Sequence, residues 1–278
     1  MRVRMFHVLA MVALGVCVRP ASGQWLKYPT TGVPRTKDGR VSLGAPAPRS
    51  NGRPDFSGIW LTGNPIPCSK AAGEDFLECG VELPLSRDAI NIGATLPGGL
   101  PYQPWAAELV RKRTAEQAKD DPHVRCLPDT FIRSYGLPHM QKFMQMPGLL
   151  VMLDEMNASY RQIFTDGRPL PADPVPSWNG WSSAVWEGDT LVVKSNGFRD
   201  DLWLDIAGSP LTGAAKTVER IRRPDYGHLE IQLTVDDPRA YTKPWTVRLT
   251  QQIVVDTDLI DEICLENEKS SQHMLNSK

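Results

Sequence analysis

Downstream of Pro147 the hydrophobic pattern has a period of two, the spacing at which side chains leave opposite faces of a β-strand. Leu149, Val151 and Leu153 alternate with Leu150, Met152 and Asp154, and "SYRQIFTDGRPL" runs on into a turn at Asp166-Gly167. "SAVWEGDTLVVKS" predicts a hairpin about Glu187-Gly188-Asp189. "KTVERIRRPDYGHLEIQLTVDDP" predicts another, with its turn at Pro224-Asp225-Tyr226-Gly227. In the return strand Leu229, Ile231, Leu233 and Val235 face one way, and Glu230, Gln232 and Thr234 the other. "WTVRLTQQIVVD" and "DLIDEICLEN" predict two more strands, joined near Asp256-Thr257-Asp258. Seven or eight antiparallel strands would leave unpaired edges in an open sheet, so a closed or nearly closed one is expected.

The remainder of the chain reads differently. Helical spacing appears once, in "WAAELVRKRTAEQAKDD", where Trp105, Leu109 and Val110 form a narrow stripe, Glu108 and Lys112 pair at i,i+4, and Asp121-Pro122 ends the run. Such a helix belongs on the outside of a core. From Leu61 to Pro104 prolines and glycines predict loops. The predicted class is therefore mainly β, an antiparallel barrel or sandwich with an irregular N-terminal half and one helix. "FSGIW", with Gly58 two before Trp60, looks like the glycine-x-tryptophan start of lipocalin-type barrels, in which the tryptophan closes one end.

Between Tyr28 and Asp55 the chain is rich in proline, glycine and charge, and says nearly the same thing twice. Pro34-Arg35 precedes Asp38-Gly39-Arg40, and Pro48-Arg49 precedes Asn51-Gly52-Arg53. Each unit reads as a turn with glycine at the position needing positive φ, on an extended tether that can cross a surface. An arginine-bearing motif for a carbohydrate or a protein partner is the alternative.

Arg2 and Arg4, an apolar run from Met5 to Val18, and Ala21-Ser22-Gly23 have the layout of a secretory signal peptide, too short to span a membrane comfortably. Cys17 after Val16 raises a lipoprotein alternative, although Val16 is bulky where a small residue is wanted. The chain then divides into a signal peptide (1–23), an extended leader (24–56) and one β-rich domain (57–278) with a loop and helix insertion at about 61–147. Removing 1–23 leaves 28 basic against 32 acidic residues, a net charge of −4 with no basic field for nucleic acid. No other run is long and apolar enough for a membrane span. A secreted or periplasmic location is expected. Cys68, Cys79, Cys126 and Cys264 allow three pairings, of which a local Cys68–Cys79 loop and a long Cys126–Cys264 staple are preferred.

Signatures of familiar chemistry are mostly missing: no HExxH, Walker loop or GxGxxG after a strand. "GWSSA" at Gly180 to Ala184 departs from GxSxG and lies in a strand context. His123, His139, His228 and His273 are far apart, so no metal site and no cofactor are implied. Carboxylates offer more. Period two puts Glu219 on the face of Thr217 and Ile221, and Glu155 on that of Val151 and Leu153. If both faces point inward, burial would raise a carboxyl pKa and permit acid or base work, with His273 as a further candidate catalytic group. Otherwise each is ion-paired, with Arg161 or Arg220 for example, or the facing is inverted. Trp178, Trp181, Trp186, Trp203 and Trp245 all fall in the β region; the first four, with Arg168, are candidates for binding a flat apolar ligand or a sugar ring. Plain core packing is the alternative for each.

"IFTDGRPLPADPVPSWNGWSSAVWEGDTLVVKSNGF", "LWLDIAGSP", "DDPRAYTKPWTV" and "ENEKSSQHM", together with the doubled leader, resemble a family of secreted bacterial proteins abundant in acidobacteria and some proteobacteria. The resemblance spans most of the mature chain and supplies no reaction. Its relatives carry histidines between the "WLD" segment and the Val-Glu-Arg, where this chain has Ser209, Leu211 and Lys216; Glu219 and Gln272-His273 are retained. If those histidines serve a metal or proton relay, the resemblance implies that this chain has lost it.

Three functions follow as expectations. The first is a small-molecule binding β-protein with a tryptophan-rich cavity, taking an apolar or carbohydrate ligand. The second is a hydrolase, lyase or isomerase using Glu219 with Glu155 or His273. The third is a protein contact made through the arginine-rich leader.

Overall fold

The structure is a computed structural model, and it describes residues 28–67 and 82–264. Nine strands close into a barrel. In chain order they are β1 (Gly58–Thr62), β2 (Gln141–Met146), β3 (Leu149–Asp154), β4 (Tyr160–Phe164), β5 (Trp181–Glu187), β6 (Thr190–Asn196), β7 (Lys216–Arg222), β8 (His228–Asp236) and β9 (Trp245–Val254). Each pairs with its sequence neighbours and β9 returns to β1, so the sheet has no free edge.

An odd number of strands cannot close with every pair antiparallel. Here the parallel pair is β4–β5. A parallel pair needs a crossover instead of a tight turn, and stretch 165–180, carrying Pro169, Pro171, Pro174 and Pro176, supplies it. Pairing at this seam is confined to Ile163↔Ser182 and Phe164↔Ser183. By contrast, β8 and β9 are in register from His228↔Gln252 to Val235↔Trp245.

The period-two pattern is realised in the core. Leu229, Ile231, Leu233 and Val235 are each at most 1% exposed, and Val247, Leu249, Leu191, Val193, Ile221, Ile163, Phe143 and Leu150 join them. The interior is filled rather than hollow at its ends. Helix α1 (Arg87–Ile90) and helix α2 (Pro104–Ala115) precede α3 (Phe131–Ser134), whose four residues are all buried and which plugs one mouth. Tyr135 follows α3, and its carbonyl accepts from Gln251 Nε2 at 2.6 Å. The opposite end is closed by the leader: Phe56 packs on Trp186 at 5.4 Å, and Arg223 stacks over Trp60 at 4.8 Å. Trp60 is fully buried and donates to the Phe56 carbonyl.

Each leader repeat ends up as a clasp on the barrel. Gly39 and Gly52 take φ of 82° and 75°, as the turn reading requires. Arg35 binds Asp256 beyond β9; Arg49 binds Asp189, and Arg53 the Gly188 carbonyl, in the β5–β6 turn. Ala45 and Leu43 carbonyls accept from Tyr226 and Gly227 in the β7–β8 turn.

Four expectations are corrected. One predicted helix becomes three, and α2 ends at Ala115 because Gln117 and Ala118 turn left-handed. Trp105 is 47% exposed, its indole N–H held by the Arg239 carbonyl, while Ala106 makes the buried contact. "DLIDEICLEN" forms no strand among the described residues, because the sheet has already closed through β9–β1; its one pairing is an isolated bridge, Met156↔Glu262. Finally, the sheet is not wholly antiparallel.

The Cys126–Cys264 staple is present and joins residues 138 apart in sequence, while Cys68 and Cys79 lie outside the described residues. Cross-linking over such a span restricts the unfolded chain by about 5 kcal/mol on a loop-entropy scale. Replacing both Cys126 and Cys264 by serine should therefore lower the free energy of urea unfolding by up to about 5 kcal/mol. An unchanged midpoint would mean that the staple is mechanically idle.

Candidate functional site

Glu219 points into the barrel from β7 and is fully buried. It is not a free carboxyl. Arg161, on β4 and 3% exposed, donates to both its oxygens, at 3.2 Å from Nη1 to Oε1 and more closely from Nη2 to Oε2. Tyr135 donates its hydroxyl to Glu219 Oε1 at 2.7 Å. The remaining guanidinium donors reach Ser182 Oγ on β5 and Ser195 Oγ on β6, each at 3.1 Å, and those hydroxyls are 2.9 Å apart. Phe131 from the plug lies 3.4 Å from the guanidinium carbon. Burial together with the adjacent Glu219 charge holds the Tyr135 hydroxyl well above its usual pKa, so it remains a donor.

Of the two partners weighed for Glu219, Arg161 is therefore the one found. Arg220 faces outward and binds Glu187 at 2.9 Å. Glu155 is placed elsewhere. Leu150 and Met152 are the buried positions of β3, so the Val151 and Leu153 face points outward. Glu155 follows the strand at the rim, where its oxygens accept from the Met140 and Ile260 amides at 2.8 and 3.1 Å. The two carboxylates thus hold different parts of the fold and do not line one pocket. His273 lies outside the described residues.

Where the parallel pairing gives out, the barrel wall opens outward into a cleft of about 420 Å³. Tyr160, Gln162 and Phe164 come from the outer face of β4; Ser177, Trp178, Asn179 and Trp181 come from the crossover and β5. Arg161 and Ser182 form the floor, so the cleft lies directly over the buried network. Its walls are braced. Trp181 Nε1 donates to the Val175 carbonyl at 2.8 Å, and Arg199 stacks on Trp178 at 4.7 Å. Asn179 spans the gap, donating to the Tyr160 carbonyl and accepting from the Phe131 amide. At Gly197 φ is +74°, and a Cβ would lie 2.9 Å from Trp181 Cδ1, so only glycine lets the indole settle there.

Of the tryptophans singled out in the sequence, Trp178 and Trp181 meet in this cleft and the others do not. Trp186 lies under the leader beside Phe56 and Arg53; Trp203 is buried beneath Arg113; Trp245 packs edge-on to Tyr241. Arg168 borders the cleft indirectly, stacked on Phe164 at 3.8 Å and paired with Asp166. Ser182 of "GWSSA" has its hydroxyl in the Arg161 network, and Ser183 donates to the Arg168 carbonyl. Sequence reasoning missed Tyr160, Gln162, Phe164 and Asn179. A signal existed, since period two in "YRQIF" puts two aromatics and a glutamine on one face.

Two measurements test these assignments. Arg161→Met leaves Glu219 buried without its counter-charge and should cost about 3–5 kcal/mol in urea unfolding, most of it recovered in Arg161→Met/Glu219→Leu. Equal loss in both would show that the cost does not come from Glu219 left without its counter-charge. Asp88 in α1 has a buried oxygen without a partner among the described residues, and burial pushes its pKa up to about 6. A carboxyl with a raised folded pKa stabilises fully below its unfolded value, and that contribution is lost as pH rises through about 6. Asp88→Asn should thus be more stable than the parent above that pH, by about 1–2 kcal/mol after allowing for partial exposure, and flatten the pH profile of the melting temperature.

No protein-family model, no curated protein and no solved structure matches the chain.

Proposed function

We propose that this chain is an exported binding protein that takes a neutral, ring-shaped small molecule, a sugar residue in the first instance, in the seam cleft. The observation that carries the reading is the meeting of Trp178, Trp181, Tyr160 and Phe164 around the amides of Gln162 and Asn179 in one cavity of about 420 Å³. Small-molecule sites combine aromatic surface with a few placed polar groups in this size range. Trp181 and Tyr160 are 43% and 62% exposed and so leave aromatic surface available to a ligand.

Charge selects against an anionic ligand here. The Arg161 guanidinium beneath the cleft is already matched by Glu219 and has its donors occupied. The Gln162 amide and the Tyr160 and Ser177 hydroxyls remain to meet ligand hydroxyls. The catalytic alternative loses its support from Glu219 and Glu155, since each carboxylate is engaged in holding the fold. Export is consistent with the Cys126–Cys264 disulfide and with the lack, among the described residues, of a helix long and apolar enough to cross a membrane.

Titration of intrinsic tryptophan fluorescence with neutral oligosaccharides of glucose, N-acetylglucosamine and mannose should give saturable binding for at least one. Trp181→Ala should weaken that binding about tenfold, near 1.4 kcal/mol, with a thermal melt checking that the variant remains folded. Absence of any saturable response, or an undiminished one in the variant, would overturn the reading.

A further inference from the structure

We infer that the outer face of β7, β8 and β9 is a second, separate site, and that it binds a carboxylated polysaccharide. On that face Arg220, Gln232 and Arg248 are in register across three adjacent strands, and Arg222, Glu230 and Thr250 form the next row. Both rows, with Thr190, line a surface hollow of about 450 Å³. Three arginines there stand against Glu230 in the hollow and Glu187 at its edge, in a chain whose overall charge is −1. The local excess of positive charge is thus a property of this face.

Two of the three arginines, Arg222 and Arg248, are not held in close internal pairs. Among the described residues Arg248 has no acidic partner, and the Arg222–Glu230 pair is loose at 3.9 Å with both side chains more than half exposed. Arg220 is held at 2.9 Å by Glu187, which fixes its guanidinium at the edge of the hollow. Beyond it Arg53, docked on the Gly188 carbonyl of the β5–β6 turn, extends the basic margin, while Arg49 beside it is matched by Asp189.

Geometry chooses the occupant. Arg220 and Arg248 leave the sheet two strands apart, roughly 10 Å at the usual strand spacing, so they meet two separate acidic groups along an extended ligand. Guanidinium forks suit carboxylates, and Gln232, Thr190 and Thr250 offer partners for ring hydroxyls. A bilayer would need exposed apolar side chains; in this hollow the apolar ones, Ile231 and Leu249, are buried inside the barrel. An acidic peptide adding as a strand would need a free edge, and the closed sheet offers none.

Binding of oligogalacturonides to the whole protein, measured by isothermal titration calorimetry at low and high salt, tests this. Binding should be saturable and weaken steeply with salt, as expected of exposed charges. Arg248→Gln and Arg220→Gln should each weaken it about tenfold, and Glu230→Gln should strengthen it severalfold. All three positions are at the surface, and a thermal melt checks that each variant remains folded. Lack of binding, equal affinity for uncharged dextran, or variants that bind like the parent would overturn the proposal. So would competition by free phosphate or sulfate as strong as that by the oligomer, or binding to anionic phospholipid vesicles in its place.

Discussion

In a closed sheet of nine strands one pair must run parallel, and in this chain that pair, β4–β5, is bonded through two residue pairs only. The rest of the structure depends on how this seam is held. Arg161 on β4 binds Ser182 on β5, Ser195 on β6 and Glu219 on β7, so one guanidinium ties four consecutive strands from within. Tyr135 adds the plug to the same carboxylate. A buried ion pair is costly to desolvate and stable only when its remaining donors and acceptors are filled. Here five polar side chains fill one another, at the place where backbone pairing is weakest.

The arrangement explains why the interior and the candidate site are distinct. Side chains, α3 and the leader occupy the barrel and its two mouths, whereas the opening lies in the wall, outside the short seam. The crossover that a parallel pair demands brings Trp178 and Asn179 to the cleft, and Trp181 begins the strand it feeds. Topology and binding surface have a common cause. Rigid aromatic walls fixed by Asn179, Arg199 and the Val175 carbonyl limit the ordering cost that a ligand would meet.

Much of the barrel was legible because Leu229, Ile231, Leu233 and Val235 obey a strict period of two and the hairpin turns carry glycine and aspartate. The inward facing of Glu219 came from the same rule. Glu155 escaped it because β3 is apolar on both faces, so periodicity alone does not say which side is buried. The closing strand β1 is separated from β2 by nearly eighty residues, a long-range pairing that local pattern cannot reveal. Tryptophans were visible as a class, yet their sorting was not. Trp186 and Trp203 are covered by Phe56, Arg53 and Arg113, residues remote from them in sequence.

Amide hydrogen exchange, read by mass spectrometry in the parent and in Arg161→Lys, reports on the seam most directly. Lysine keeps the charge but cannot reach Ser182, Ser195 and both Glu219 oxygens together. Exchange in peptides covering 160–164 and 181–187 should accelerate by one to two orders of magnitude, as expected for a loss of about 1.4–2.8 kcal/mol in local opening, while peptides from 228–236 and 245–254 change far less. Seam amides as slow in the variant as in the parent would contradict the account, because backbone pairing would then hold β4 to β5 without the buried arginine.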